Sequence, residues 1–199
     1  MTSYLELRHN AMVLRDIGGY DLDRGEMNPA IFEEFLGEVV DSDVLPVIWE
    51  PFAGHTGRSR AQDFAEEAEV KLISHDLEPS DERVIQADST KQSPEVSLGG
   101  ILFHPPYFGS RLLSENEADL SAIKSLEDYS KSLQKTVDFV KVPLVKDGLV
   151  CAVGRDYRHN GMRVSLANMY LEMFGKAGMS LFRVWLSEPD VVLIFRKSI

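Results

Sequence analysis

Short apolar runs alternate along the chain with stretches whose apolar positions recur every three or four residues. That alternation predicts strands separated by amphipathic helices. From Asn28 to Val40, the spacing of Ile31, Phe32, Phe35, Leu36 and Val39 is helical, and Pro29 suits a first helical position. Val44-Leu45-Pro46-Val47-Ile48-Trp49 reads as a first buried strand, followed by a turn from Glu50 to Ser59 and a helical stretch from Arg60 to Glu69. Val70 to Ser74 is a second strand, Arg83 to Ala87 a short third and Gly100 to Phe103 a fourth. Ser125 to Val145 carries Leu126, Tyr129, Leu133, Val137 and Val140 on one helical face, with Asp147-Gly148 as its cap. Leu149 to Val153 is a fifth strand, and Val164 to Lys176 a helix closed by Gly178. The chain ends with Ser180 to Leu186, the turn Ser187-Glu188-Pro189-Asp190, and Val191 to Arg196, two strands joined tightly enough to be antiparallel. The expected architecture is α/β, a mostly parallel, doubly wound sheet with an antiparallel ending.

Composition bounds this picture. At 199 residues, 44% hydrophobic and 27% charged, the chain fits one globular domain over 1–199. No apolar run reaches the roughly 20 residues of a membrane helix, and the first residues lack the basic and apolar regions of a secretory signal. The single cysteine, Cys151, excludes an internal disulfide and a multi-cysteine zinc site. Its apolar neighbours mark it as a buried strand residue rather than a nucleophile. A cytoplasmic setting and no bound metal are expected. The net charge of −11 opposes phosphate binding, which depends on Lys and Arg contacts. A nucleic-acid substrate therefore requires a local basic patch, a basic partner or a second copy of the chain.

Ligands in open α/β sheets bind outside the carboxyl ends of the strands, and candidate chemistry collects at those places. Phe103-His104-Pro105-Pro106-Tyr107-Phe108 makes a rigid, aromatic loop after the fourth strand. The turn after the first strand carries Gly54 and Gly57 ahead of a helix N-terminus, suited to close backbone approach to a ligand. It is neither a Walker loop nor GxGxxG. Acidic residues end three successive strands, Glu50, Asp76 and Asp88, a pattern suited to nucleoside hydroxyls and amines. Arg155, Arg158, His159 and Arg163 form a basic cluster in a loop after the fifth strand, which Arg58, Arg60 and Arg111 could join as phosphate contacts.

These residues resemble the S-adenosylmethionine-dependent amino-methyltransferases, above all the DNA enzymes that methylate the exocyclic nitrogen of adenine or cytosine. The family's Asp-Pro-Phe-Xaa-Gly-Xaa-Gly turn is matched by Glu50-Pro51-Phe52-Ala53-Gly54-His55-Thr56-Gly57, and its Asp/Asn/Ser-Pro-Pro-Tyr loop by His104-Pro105-Pro106-Tyr107. Asn28-Pro29-Ala30 with Phe32 is similar to the N-terminal cofactor-contacting segment, within a helical region over 1–43. Similarity extends through Ser125 to Tyr129, Asp147-Gly148 and Val153 to Asp156 to the antiparallel ending.

The resemblance implies a Rossmann-like class I methyltransferase fold with a seven-stranded, mostly parallel sheet and helices on both faces. It implies S-adenosylmethionine as cofactor. Asp76 with Leu77 would contact the ribose, Asp88 with Ser89 the adenine end, and Glu50, Pro51, Phe52, Ala53, Gly54 and Gly57 the methionine moiety. Asn28, Pro29, Phe32 and His104 complete that set. His104 and the Pro105 carbonyl would accept hydrogen bonds from the target amine, held by Pro106, while Tyr107 stacks on a base rotated out of the duplex. Tyr107, Phe108, Arg155 and Arg158 are the expected substrate contacts. His104 stands where the family has Asp, Asn or Ser, and only a neutral imidazole offers an acceptor nitrogen. No separate target-recognition domain is expected. DNA is the preferred partner. RNA, a protein glutamine, and a catalytically inert role beside a partner subunit are the alternatives.

Overall fold

The computed structural model describes residues 11–16, 27–54, 59–110, 113–114 and 116–198. Among these described residues, ten strands and four α-helices follow one another as β1 (Met12–Val13), α1 (Pro29–Asp41), β2 (Val47–Glu50), α2 (Arg60–Glu67), β3 (Lys71–Asp76), β4 (Ile85–Gln86), β5 (Leu98–Phe103), α3 (Leu126–Val140), β6 (Leu144–Gly154), β7 (Asp156–His159), β8 (Met162–Ser165), α4 (Leu166–Lys176), β9 (Met179–Ser187) and β10 (Asp190–Lys197). Each helix starts at a polar residue that accepts a hydrogen bond from its own first turn. Asn28 takes Ala30 N, Ser59 takes Gln62 N, Ser125 takes Asp128 N and Ser165 takes Asn168 N. Each such cap contributes about 1 kcal/mol.

Eight strands form one sheet in the order β1-β9-β10-β6-β5-β2-β3-β4, and β7 with β8 forms a separate hairpin. β2 to β6 run parallel, whereas β10 is antiparallel to both β6 and β9. Alternate residues of the central strands enter different layers, as a pleat requires. Ile101, Phe103, Val150 and Ala152 pack with α3 and α4, while Leu102, Leu149, Cys151 and Val153 pack with α1 and α2. Every residue of β5 is buried, so the loop that leaves it is launched from the centre of the core. Cys151 is buried, and burial pushes its thiol pKa up, which keeps it an inert core residue. Among the described residues, no helix is long and apolar enough to cross a membrane.

The structure corrects the expected outline in four places. The sheet has eight strands rather than seven, because β1 adds two residues alongside β9. Two residues are too short to show a period, and residues 1–10 and 17–26 of the expected helical region lie outside the described residues. α3 ends at Val140 instead of Val145, and Asp147 lies inside β6 at φ 61. Asp147-Gly148 thus occupies an irregularity where β6 slips against β5, between the Leu98–Leu144 and Gly100–Leu149 pairs, and caps no helix. The basic loop after the fifth expected strand is the β7–β8 hairpin, so α4 starts at Leu166 rather than Val164. The third expected strand shrinks to Ile85–Gln86.

Candidate active site at the carboxyl edge of the sheet

The ends of β2, β3, β4, β5 and β6 open onto one edge. β10 starts there because it runs the opposite way, which brings Asp190 to the same place. On the β2–β4 side the carboxylates are held mainly by nearby backbone. Asp76 Oδ2 accepts from Gly54 N at 2.9 Å and its Oδ1 accepts from Glu78 N at 2.9 Å. Each oxygen keeps acceptor capacity after one such bond. Gly54 adopts φ 79, a left-handed conformation that favours glycine, and a side chain there would point into open space. Asp88 accepts from Thr90 N and Thr90 Oγ1 and pairs with Lys91 at 2.7 Å. Burial raises its pKa, but those partners outweigh it and hold the carboxyl below its ordinary value. Beside it, the Ser89 hydroxyl is buried without a hydrogen-bond partner among the described residues.

Glu50 behaves differently. Its side chain turns into the protein, where Oε2 accepts from Ser74 Oγ at 2.7 Å and Ser74 Oγ in turn accepts from Gln62 Nε2 at 2.8 Å. Burial lifts the carboxyl pKa to about 7, with Asp76 adding to the rise and Ser74 opposing it. Ser59, which caps α2, is braced from the loop after β3. Asp81 accepts from Ser59 N at 2.8 Å, and Arg83 joins Asp81, Asp63 and Glu66. Phe52 sets its ring edge-on to Phe103 with 5.6 Å between centroids, which links the turn after β2 to the loop after β5.

On the β5–β6–β10 side, the His104-to-Phe108 loop is fastened from below by tyrosines. Tyr129 donates to the Pro106 carbonyl at 2.8 Å, and Tyr157 donates to the Phe108 carbonyl at 2.7 Å. Tyr107 Oη donates to Asp190 Oδ1 at 3.2 Å and lies 3.1 Å from His104 Nε2. Arg155 Nε donates to the same Asp190 oxygen at 2.8 Å. Burial pushes the His104 pKa down to about 4; Asp190 opposes the fall and Arg155 adds to it. At that value the imidazole is neutral at physiological pH, the form that has an acceptor nitrogen.

Other expected contacts are engaged within the fold. Asn28 is buried as the α1 cap, with its amide donating to the Arg15 carbonyl and Ser187 Oγ, and Pro29 and Phe32 are buried beside it. Phe108 is only 3% exposed and packs on Tyr129 and His159. Arg155 points at Asp190 instead of solvent, and Arg163 pairs with Asp156 at 2.7 Å. His159 closes onto Gly109, where a Cβ would come within 2.3 Å of the imidazole. Arg158 and Arg60 are exposed. His55, Thr56, Gly57, Arg58 and Arg111 lie outside the described residues.

No family model matches the chain, and no curated protein does. Solved structures do. The chain is similar to 1,6-didemethyltoxoflavin-N1-methyltransferase of Burkholderia thailandensis, determined with 1,6-didemethyltoxoflavin and S-adenosylhomocysteine bound, at 16% identity and a TM-score of 0.52 over 85% of this chain and 88% of that one. It is also similar to the N-methyltransferase NodS of Bradyrhizobium japonicum WM9, at 13% identity and a TM-score of 0.53 over 85% of this chain and 97% of that one. TrmN of Thermus thermophilus gives 14% identity and a TM-score of 0.55 over 86% of this chain, which spans about half, 49%, of TrmN. The fold is that of the class I, Rossmann-like methyltransferases.

Within this methyltransferase fold, sequence reasoning missed Asp190 and the supporting Tyr129 and Tyr157. The terminal turn contained the needed signal. A strand antiparallel to its neighbours begins where they end, so its first residue, Asp190, must arrive at the ligand edge.

Proposed function

We propose that this protein is an S-adenosylmethionine-dependent methyltransferase acting on the exocyclic amino group of adenine or cytosine in DNA. The observation that carries this reading is His104: a neutral acceptor on a rigid Pro-Pro-Tyr loop, at the edge where Asp76 and Asp88 also end their strands. The cofactor assignment draws support from the fold and from the open approach to Gly54. The buried Ser89 hydroxyl, which has no partner among the described residues, adds to it, because a buried polar group without a bond is costly unless a ligand satisfies it. Asp76 and Leu77 would hold the ribose, and Asp88 and Ser89 the adenine end. The backbone from Pro51 through Gly54 would hold the methionine part, since the Glu50 side chain is committed to Ser74.

S-adenosylmethionine supplies a methyl group on a sulfonium centre. The protein's part is to orient the acceptor. An exocyclic amine is a weak nucleophile because its lone pair is delocalised into the ring. Hydrogen bonds accepted from its N–H groups by His104 and the Pro105 carbonyl localise that lone pair and stabilise the charge developing on nitrogen. Tyr129 and Tyr157 keep the loop from yielding. Arg158 on the exposed β7–β8 hairpin is the candidate phosphate contact. With a net charge of −11, a basic partner or a second copy of the chain would strengthen DNA binding.

Calorimetry with S-adenosylmethionine and S-adenosylhomocysteine, followed by tritium transfer to mixed DNA, RNA and protein substrates, tests the proposal. Binding with label in a DNA adenine or cytosine is the expected outcome. Absence of binding to either cofactor form would overturn it. Label in RNA or in protein glutamine would replace the substrate, and binding without any transfer would point to an inert subunit.

A further inference from the structure

Arg155, Asp190 and Tyr107 form a chain of side-chain contacts that ends at His104. Asp190 is 1% exposed, and its Oδ1 receives Arg155 Nε at 2.8 Å and Tyr107 Oη at 3.2 Å. A carboxylate beside a guanidinium only accepts hydrogen bonds. A phenol has one hydrogen, and here it is directed to Asp190, so the side of Tyr107 Oη that meets His104 is a lone pair. The facing atom, Nε2, lies 3.1 Å away. If Nε2 were bare, two lone pairs would oppose each other in a half-buried site. The contact is satisfied only when Nε2 carries the hydrogen.

We propose that the Arg155–Asp190–Tyr107 chain fixes the tautomer of His104, holding the proton on Nε2 and leaving Nδ1 bare to accept a hydrogen bond from the target amine. Nδ1 stands two bonds from Cβ, as a carboxylate or amide oxygen would. The histidine therefore presents an acceptor where a shorter side chain would present one, and the far side of its ring is anchored in the interior. Tyr107 and Asp190 act as positioning residues. The tyrosine ring serves this task too: it stacks on Tyr157 at 17°, with Arg155 5.2 Å from its centroid, and lies edge-on to His104 at 5.5 Å. Asp190 and Arg155 are the charged groups facing His104, and burial between them keeps the ring neutral.

The use of Nδ1 rests on the methyltransferase reading, but the tautomer is a property of the free protein and can be read without any substrate. Histidine labelled with 15N, observed through two-bond 1H–15N couplings at neutral pH, should show His104 as a single tautomer with protonated Nε2. Asp190→Ala frees the Tyr107 hydroxyl to donate to Nε2, so the His104 proton should move to Nδ1. Tyr107→Phe leaves the Arg155–Asp190 pair intact and should shift the tautomer ratio toward Nδ1–H by about fivefold, the effect of one ordinary hydrogen bond. It should also speed exchange of the Nε2 proton. Asp190→Asn retains an acceptor oxygen and should restore the wild-type tautomer.

A wild-type His104 with protonated Nδ1, or a ratio unmoved in both Asp190→Ala and Tyr107→Phe, would overturn the proposal. The expected tautomer in a protein that transfers no methyl group would leave the relay standing and remove the functional reading. Transfer by a protein whose His104 is protonated on Nδ1 would do the reverse.

Discussion

The two halves of the site are built by different means. On the β2–β4 side, carboxylates close short turns on their own neighbours: Asp76 takes Glu78 N, Asp88 takes Thr90 N, and Asp81 takes Arg83 N. The longer bonds there, from Asp76 to Gly54, Asp81 to Ser59 and Glu50 to Ser74, span 22, 22 and 24 residues. On the β5–β10 side the bonds span the chain. Asp190 reaches Tyr107 over 83 residues and Arg155 over 35, and Tyr157 reaches Phe108 over 49. A local turn leaves acceptor capacity for a ligand and depends little on the rest of the fold. A long-range network has few spare groups, and it holds one side chain in one orientation. The difference suits a division of labour in which one half binds and the other orients.

That contrast breaks first on stability. Asp190→Ala leaves Arg155 without its buried partner and should cost about 3–5 kcal/mol, measured by urea denaturation. Asp76→Ala should cost only about 1 kcal/mol. Equal losses would show that both halves are alike in construction. The next largest effect is on methyl transfer. His104→Ala removes the side-chain acceptor and should lower the rate by about 10²–10³-fold, with His104→Asn recovering part of it. Protonation destroys the acceptor, so the rate should be flat from about pH 5 to 8 and fall as pH drops through about 4. A free histidine would lose activity near pH 6.5, and a drop there would mean that burial does not govern His104.

Glu50 tests the other half. Its folded pKa, about 7, lies above its ordinary value near 4.5, so protonation favours the folded state. Its contribution is fully present below about pH 4.5, declines as pH rises through 7, and amounts to about 3 kcal/mol. Glu50→Gln keeps an acceptor for Ser74 and should be more stable than wild type at pH 8, with a flatter stability profile across pH 4–8. Matching profiles would place the titration elsewhere.

The same contrast explains what was legible in the sequence. The parallel strands announce themselves because each is a short apolar run, and the carboxylates that end them follow by position. Thus Glu50, Asp76, Asp88 and His104 are all at the edge where the pattern puts them. Side-chain direction is not local. Nothing in Glu-Pro-Phe tells that Glu50 turns inward onto Ser74, and nothing in Pro-Pro-Tyr tells that the Tyr107 hydroxyl points at Asp190. The sequence marks Phe108 as a substrate contact on the aromatic loop, and in the structure it is buried because the β7–β8 hairpin folds over it through His159. That hairpin was read as a loop because Asp156 to Ser165 is rich in charge and carries too few apolar residues to show a period of two.

Binding of the cofactor should sharpen the assignment of the first half. If Asp76 holds the ribose, as proposed, Asp76→Ala should weaken S-adenosylhomocysteine binding by about 10–100-fold in calorimetry, the range for hydrogen bonds to a charged group. Tyr107→Phe, on the other side of the site, should leave that affinity unchanged. A comparable loss in Tyr107→Phe would mean that the two halves do not divide binding from orientation.

The smallest effect concerns the hairpin. Arg163 is held by Asp156 and Arg155 by Asp190, whereas Arg158 is exposed, with Nη1 reaching the Gly161 carbonyl at 3.3 Å. If Arg158 contacts a phosphate, Arg158→Ala should weaken DNA binding a few-fold at moderate salt and reduce the slope of log affinity against log salt by about 1. The loss should not depend on the base that is methylated, because a phosphate contact carries no sequence information. A change in base preference with an unaltered salt slope would instead place Arg158 against the target base, and the hairpin would then belong to the orienting half of the site.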